Sequence, residues 1–232
     1  MMLNNVDNQL THKQLVGMSS SHIHWYTPKM GVHQKMYHAF EKMQAAAKED
    51  QIDLQIASGF RGFERQLQLW NNKFNGKTPI KNIAGKTVEI NHLTEQEKIH
   101  AILTYSALPG ASRHHWGTDI DVYAPNLLPN NTQLQLEPWE YETTGPMGLL
   151  SHWLEKNCHS FDFYFPYDCY RGGIAHEPWH MSYAPLADNF EQQFTIDILI
   201  EVLHSSEVAG KNAIIENIDG IYHNFINNIN KR

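Results

Sequence analysis

Apolar side chains recur at helical spacing along the first half of the chain. Between residues 32 and 48 the apolar positions are Val32, Met36, Phe40 and Met43. A spacing of three to four residues predicts an amphipathic helix. A second helix is predicted from about residue 62, and we assign its apolar stripe to the core: Phe63, Leu67, Trp70 and Phe74. A third is predicted to open at the capping-box sequence of residues 94–97.

Shorter segments alternate between apolar and polar residues, as strands with one buried face do. The predicted strands lie near residues 53–57, at the end of the segment 112–123, and near residues 161–165 and 179–183. Residues 75–91 and 124–143 are rich in Gly, Asn or Pro, which predicts surface loops.

From residue 185 onward the chain is predicted to be helical. A last amphipathic stripe follows residue 213: Ile214, Ile218, Ile221, Tyr222, Phe225 and Ile229. Gly220 inside the stripe makes an interruption of this helix an open alternative. The stripe is expected to fold back on the core, and a dimer contact is the other possibility. Helices with a few non-consecutive strands predict an α+β fold, in which a small central antiparallel sheet is flanked by helices and followed by a C-terminal helical extension.

Composition narrows the function classes. The 232 residues suit one domain, residues 1–232, with an ordinary hydrophobic content of 41%. A net charge of −7 and the lack of a basic run argue against a nucleic-acid partner. No apolar run reaches the roughly 18 residues of a membrane helix. The first residues do not have the pattern of a signal peptide, so a cytoplasmic location is expected unless a leader was removed.

Two segments, residues 112–121 and 176–180, are dense in residues that bind metals. Zinc in a catalytic site takes three protein ligands from His, Asp, Glu or Cys and leaves one position for water. The second segment, His176 to His180, matches the HExxH pattern of helical zinc sites. Pro178 within it would cost a helix ~3 kcal/mol, which argues against that helix. If the segment is instead the end of a strand, we expect His180 to be a ligand and Glu177 to approach the metal-bound water from a turn shaped by Pro178.

Three short elements then resemble the VanY-type D-alanyl-D-alanine carboxypeptidases, which belong to a superfamily with D-Ala-D-Ala dipeptidases, murein endopeptidases and the hedgehog signalling domain. They are the paired signature Ser112-x-His114-x-x-Gly117-x-x-x-Asp121 and Glu177-Pro-Trp-His180, and the upstream Ser58-Gly59-Phe60-Arg61. The resemblance spans about residues 30–185, which would form the catalytic core, and leaves about residues 186–230 as C-terminal helices.

The resemblance implies a role for each matching residue. His114, Asp121 and His180 would bind Zn²⁺, and Glu177 would be the general base. Arg61 would face the oxyanion or a substrate carboxylate, while Gln66 and Ser112 would face the substrate. The sequence departs from the family at Asp119, where a small residue such as Ala is usual. Because Asp119 and Asp121 share a strand face, Asp119 is either a competing ligand or an acceptor behind the ligands.

The resemblance also implies a function. The expected activity is a zinc metallocarboxypeptidase that cleaves before a C-terminal D-amino acid, D-alanine, in peptidoglycan stem peptides or muropeptides. An L,D-carboxypeptidase of muropeptide recycling is one alternative, and it suits a cytoplasmic location. A non-catalytic, zinc-stabilised module that binds cell-wall peptides is another. The sequence leaves the oligomeric state open.

Overall fold

The structure, a computed structural model, describes residues 9–231. The first eight residues of the segment on which the leader prediction depends lie outside this range. Within it, the strands are β1 (Ile23–Thr27), β2 (Met30–His33), β3 (Gln55–Ser58), β4 (Ile80–Lys81), β5 (Thr87–Val88), β6 (Asp119–Tyr123), β7 (Phe163–Tyr164) and β8 (His180–Tyr183). The helices are α1 (His12–Leu15), α2 (Tyr37–Glu49), α3 (Phe63–Phe74), α4 (Glu95–Leu103), α5 (Pro138–Tyr141), α6 (Gly148–Asn157), α7 (Ala184–Gln193), α8 (Ile196–His204), α9 (Lys211–Glu216) and α10 (Ile218–Ile221).

The central sheet has four antiparallel strands in the order β3-β6-β8-β7. Two separate hairpins, β1-β2 and β4-β5, accompany it. In the sheet, Asp121 of β6 pairs with His180 of β8, and Ile120 pairs with Met181. Because side chains alternate along a strand, Ile120 and Met181 enter a hydrophobic core while Asp121 and His180 share the opposite face. The α+β prediction is confirmed.

Two hydrophobic cores hold the elements together. One lies under β6 and β8 and packs against α2 and α6, with Phe40, Leu150 and Ile120 among its buried residues. The other joins α3 and α4 to the C-terminal helices through Trp70, Ile102 and residues such as Ile214. The last apolar stripe therefore folds back on the core, as expected. No helix in the range 9–231 is long and apolar enough to cross a membrane.

The structure refines several predictions about individual elements. The helix predicted over residues 32–48 begins only at Tyr37, because Val32 belongs to β2 and pairs with His24 across the hairpin. The predicted loop 75–91 contains the short hairpin β4-β5, and the predicted loop 124–143 contains the short helix α5. The last stripe is interrupted, which was the alternative left open, but the break lies at Asn217, between α9 and α10, and the chain continues as a π-helical turn over Tyr222–Ile226.

Candidate active site

Three elements bring the predicted metal ligands together. His114 lies in the 3₁₀ turn Arg113–Trp116, Asp121 lies on β6, and His180 opens β8. The sheet register places Asp121 directly beside His180. All three side chains are buried, and one donor atom from each falls within 4.8 Å of the others.

Hydrogen bonds behind the two imidazoles point their free nitrogens at Asp121. Nδ1 of His114 donates to the Gly59 carbonyl (3.0 Å), so Nε2 faces Asp121 Oδ2 at 3.5 Å. Nε2 of His180 lies 3.1 Å from Asp119 Oδ1, which leaves Nδ1 at 3.2 Å from Asp121 Oδ1. That Oδ1 atom is buried and has no hydrogen-bond partner among the described residues. Two imidazoles and an orphaned carboxylate oxygen are a donor set that suits zinc.

The charges of the cluster favour an ionised Asp121. Burial alone would raise its pKa, but His114 and His180 hold the pKa well below its usual range. Burial would likewise lower the pKa of His180, yet the neighbouring carboxylates of Asp119 and Asp121 raise that pKa to about 9. The pKa of His114 is lowered by burial. Asp121 thus offers a buried negative charge for a cation, and metal binding would displace the proton that the two carboxylates hold on His180.

Both carboxylate oxygens of Asp119 have hydrogen-bonding partners away from the donor atoms of His114, Asp121 and His180. Its Oδ1 accepts from Arg113 Nε at 2.7 Å and faces Nε2 of His180, while its Oδ2 accepts from the hydroxyls of Thr118 (2.8 Å) and Ser182 (3.1 Å). Both oxygens are therefore engaged on the far side of His180 from the donor cluster. Asp119 thus lies behind His180, and the group of donor atoms that could hold a metal ion does not include it.

Glu177 and His180 occupy a turn. The His180 amide donates to the Glu177 carbonyl at 3.0 Å across Pro178 and Trp179, so no helix runs through this segment. The turn brings Glu177 Oε2 to 3.5 Å from Nδ1 of His180, while His176 is exposed. Burial raises the pKa of Glu177 to about 7, with the positive charge of His180 opposing the rise. A carboxylate with a pKa near neutrality suits a general base.

Arg61 reaches the same cluster from the segment after β3. Its Nη2 lies 4.0 Å from Asp121 Oδ2 and donates to Ser58 Oγ at 3.0 Å. Its carbonyl accepts from Nδ1 of His115, whose Nε2 in turn accepts from the Gly110 amide at 3.1 Å. The backbone and the guanidinium of Arg61 are therefore both held in place.

Gln66 occupies a different position from the predicted one. Its Oε1 accepts from Arg61 Nη1 at 3.1 Å, and its Nε2 donates to the Ala107 carbonyl at 2.7 Å. The side chain is buried and is not among the residues that line the cavity. Gln66 thus orients Arg61 from behind. Ser112, by contrast, does line the cavity beside His114.

The cluster opens into a cavity of about 370 Å³. Besides Arg61, Ser112, Glu177 and the three donor residues, the walls include residues that the sequence did not single out: Lys73, Lys81, Tyr105, Ser106, Leu136, Glu137 and Tyr167. Tyr167 packs its ring against that of His180, 4.8 Å between centroids, and its carbonyl accepts from the Glu177 amide at 3.0 Å. Except for Lys73 at the end of α3 and Lys81 in β4, these residues lie in irregular segments, where no spacing marks a side chain for a site.

Comparisons with known proteins identify a family and a related sequence. The model of the family "VanY: D-alanyl-D-alanine carboxypeptidase" matches residues 29–186. An uncharacterized protein of Haemophilus influenzae is 40% identical over 125 residues, which is 53% of this chain and 95% of that protein.

Two solved structures share the fold. One is VanYB in complex with D-alanine-D-alanine, with a TM-score of 0.51 and 21% identity, over 80% of this chain and 89% of the other. The second is a mutant of the vancomycin-resistance D,D-pentapeptidase VanY in complex with Zn(II), with a TM-score of 0.50 and 21% identity, over 78% and 92% of the two chains.

Proposed function

Because the chain belongs to the VanY D-alanyl-D-alanine carboxypeptidase family, we propose that it is a zinc metallocarboxypeptidase that removes a C-terminal D-amino acid from peptidoglycan-type peptides. The observation that carries the proposal is the buried group His114, Asp121 and His180 with Glu177 beside it. The D-alanine-D-alanine and Zn(II) complexes of the two structural neighbours support the choice of substrate and metal.

In this proposal each residue has a chemical task. Zn²⁺ bound by His114, Asp121 and His180 would lower the pKa of a bound water to about 7 and polarise the scissile carbonyl. Glu177, whose own pKa is raised to about 7, takes a proton from water and returns it to the leaving amine. Arg61, fixed by Ser58 and Gln66, directs its charge at the oxygen that becomes negative in the transition state.

Glu177→Gln tests the proposal, because it keeps the shape of the side chain and removes the base. We expect kcat for D-alanine release to fall by roughly 10²- to 10⁴-fold, with about one zinc per chain retained. The matched control is Glu155→Gln, an exposed position, which should keep the parent rate. His114→Ala should lose the zinc itself, measured by metal analysis.

Substrates ending in D-Ala-D-Ala and in a single D-Ala after an L-centre, with and without a chelator, separate the candidate functions. Release from the first only supports a D,D-carboxypeptidase, and release from the second an L,D-enzyme. A Glu177→Gln protein as fast as the parent would overturn the mechanism. Binding of either peptide without release would favour a non-catalytic module.

A further inference from the structure

Four lysine and arginine side chains line the cavity: Arg61, Lys73, Lys81 and Arg113. Three of them have a carboxylate partner within 4.0 Å: Asp121 for Arg61, Glu137 for Lys81 and Asp119 for Arg113. Lys73 differs, since no carboxylate in the described part of the chain lies within that distance of its Nζ. A cation that faces a cavity without a countercharge is suited to bind an anionic group of a ligand.

Lys73 is held in position by a neutral partner. Its Nζ donates to Ser106 Oγ at 2.5 Å, and both residues line the cavity. The side chain is partly buried at the end of α3. Burial lowers the pKa of Lys73, the charge of Arg61 lowers it further, and the charge of Glu177 opposes both. The charge of Lys73 therefore interacts with the charges of Arg61 and Glu177, the proposed catalytic residues, across the cavity.

Lys73 and Arg61 both line this cavity. Lys73 lies seven residues, or two helical turns, beyond Gln66 on the same face of α3. Long helical side chains lean toward the N-terminus of their helix, which brings Nζ back toward Arg61. Arg61 itself is engaged by Gln66, Ser58 and the edge of the donor cluster. The proposed function assigns Arg61 to the reacting carbonyl, which leaves Lys73, the cavity cation without a carboxylate partner among the described residues, to meet the end of the peptide.

We propose that Lys73, seated by Ser106, binds the free C-terminal carboxylate of the peptide substrate and so determines that the enzyme cleaves at a free chain end. This inference rests on the proposed function. It makes Lys73 a specificity-determining residue, separate from Arg61 at the scissile bond.

The test compares two peptides that differ only in a free or an amidated C-terminal D-alanine. Lys73→Met removes the charge and keeps the length of the side chain. We expect KM for the free acid to rise roughly 10- to 100-fold, the size of a lost charge-assisted hydrogen bond, with kcat within about threefold. The amide should be cleaved equally poorly by both proteins. Lys73→Arg should restore most of the affinity, and Lys77→Met, exposed just beyond α3, should match the parent.

A binding measurement keeps the two proposals apart. Calorimetry on the zinc-loaded Glu177→Gln protein, with and without Lys73→Met, reports affinity for both peptides in the absence of cleavage. If the parent cleaves neither peptide, the proposed function fails, and the preference for the free acid still tests Lys73. A preference that survives Lys73→Met, or an equal loss for acid and amide, would overturn the role of Lys73.

Discussion

At the scale of single residues, Asp119 and Arg113 form a buried ion pair directly behind a proposed metal ligand. Arg113 also donates to Tyr164 Oη (3.0 Å) and Ser182 Oγ (2.9 Å), so the guanidinium has partners on several sides. Burial would lower the pKa of Arg113, but Asp119 and the neighbouring tyrosines raise it, and the charge is retained. The ion pair therefore fixes the position of the carboxylate that faces Nε2 of His180.

Asp119→Asn should weaken zinc binding. The amide cannot balance the buried Arg113 charge or accept as strongly from His180, so the orientation of His180 is lost. Loss of such a partner behind a metal ligand typically lowers metal affinity by roughly 10- to 100-fold. A competition titration with a chelator measures the change in Kd, and Asp219→Asn, at an exposed position, is the control.

Arg113→Gln separates the effect on metal binding from the effect on stability. Breaking a buried ion pair destabilises a fold by about 3–5 kcal/mol whichever partner is removed. Arg113→Gln leaves Asp119 in place to accept from His180, so zinc affinity should change less than in Asp119→Asn. Equal zinc affinity in the two variants would show that the Asp119–Arg113 pair affects zinc binding only through the overall stability of the fold.

At the scale of elements, Gly117 joins the turn that carries His114 to the strand that carries Asp121. Its φ of +70° lies in the left-handed region. Its carbonyl accepts from the His33 amide at 2.8 Å, so the β1-β2 hairpin approaches this point closely. A Cβ at Gly117 would come within 2.5 Å of Ile23 Cδ1 and 2.8 Å of the His33 amide nitrogen. Both the backbone angle and the close approach require glycine here.

Gly117→Ala should destabilise the protein by about 2–5 kcal/mol, the sum of a left-handed alanine and an overpacked contact. Gly85 is a matched control, because its φ is +72° and a Cβ there would meet nothing within 4 Å. Gly85→Ala should therefore cost only the backbone part, about 1–2 kcal/mol. Urea unfolding of the two variants measures the difference, and equal losses would contradict a role for the close approach to His33.

Some helices and strands were predictable from the sequence and others were not. Long apolar stripes carry enough repeats to reveal a helix, so α3 and the capping box at Thr94 were predicted and are present. The hairpin β4-β5 has two residues in each strand, too few for a periodic signal. In β1, four of the five residues are exposed, so no alternating pattern marks the strand.

The site was predictable to a similar degree. The spacing of the motifs and the proline at residue 178 pointed to segments that the structure brings together, and away from a helical zinc site. The pairing of Asp121 with His180 depends on sheet register between distant segments, which no local pattern contains. The same limit explains the different position of Gln66 and the unexpected presence of Lys73, since both are set by the contact of α3 with residues 106–107.

At the scale of the whole molecule, residues near the C-terminal end of the described chain hydrogen-bond to the irregular segment 165–177. This segment carries Tyr167 and ends at Glu177. The Asn230 amide donates to the Pro166 carbonyl at 2.8 Å, and its side chain donates to the Phe165 carbonyl at 3.1 Å. The Asn228 side chain donates to the Arg171 carbonyl at 2.9 Å. The C-terminal extension, which lies beyond the matched family region, thus stabilises the segment that ends at Glu177, the proposed base.

The double variant Asn228→Ala, Asn230→Ala removes both side-chain hydrogen bonds while the backbone bond remains. Each such bond contributes about 1 kcal/mol, so local opening of residues 165–177 should become at least roughly tenfold more frequent. Hydrogen exchange should accelerate there, including at the Glu177 amide, and kcat should fall while one zinc per chain is retained. Asn212→Ala, exposed on α9, controls for the substitution itself. Unchanged exchange in residues 165–177 would show that the core elements alone hold the catalytic segment, and that the C-terminal extension contributes only to the hydrophobic core around α3 and α4.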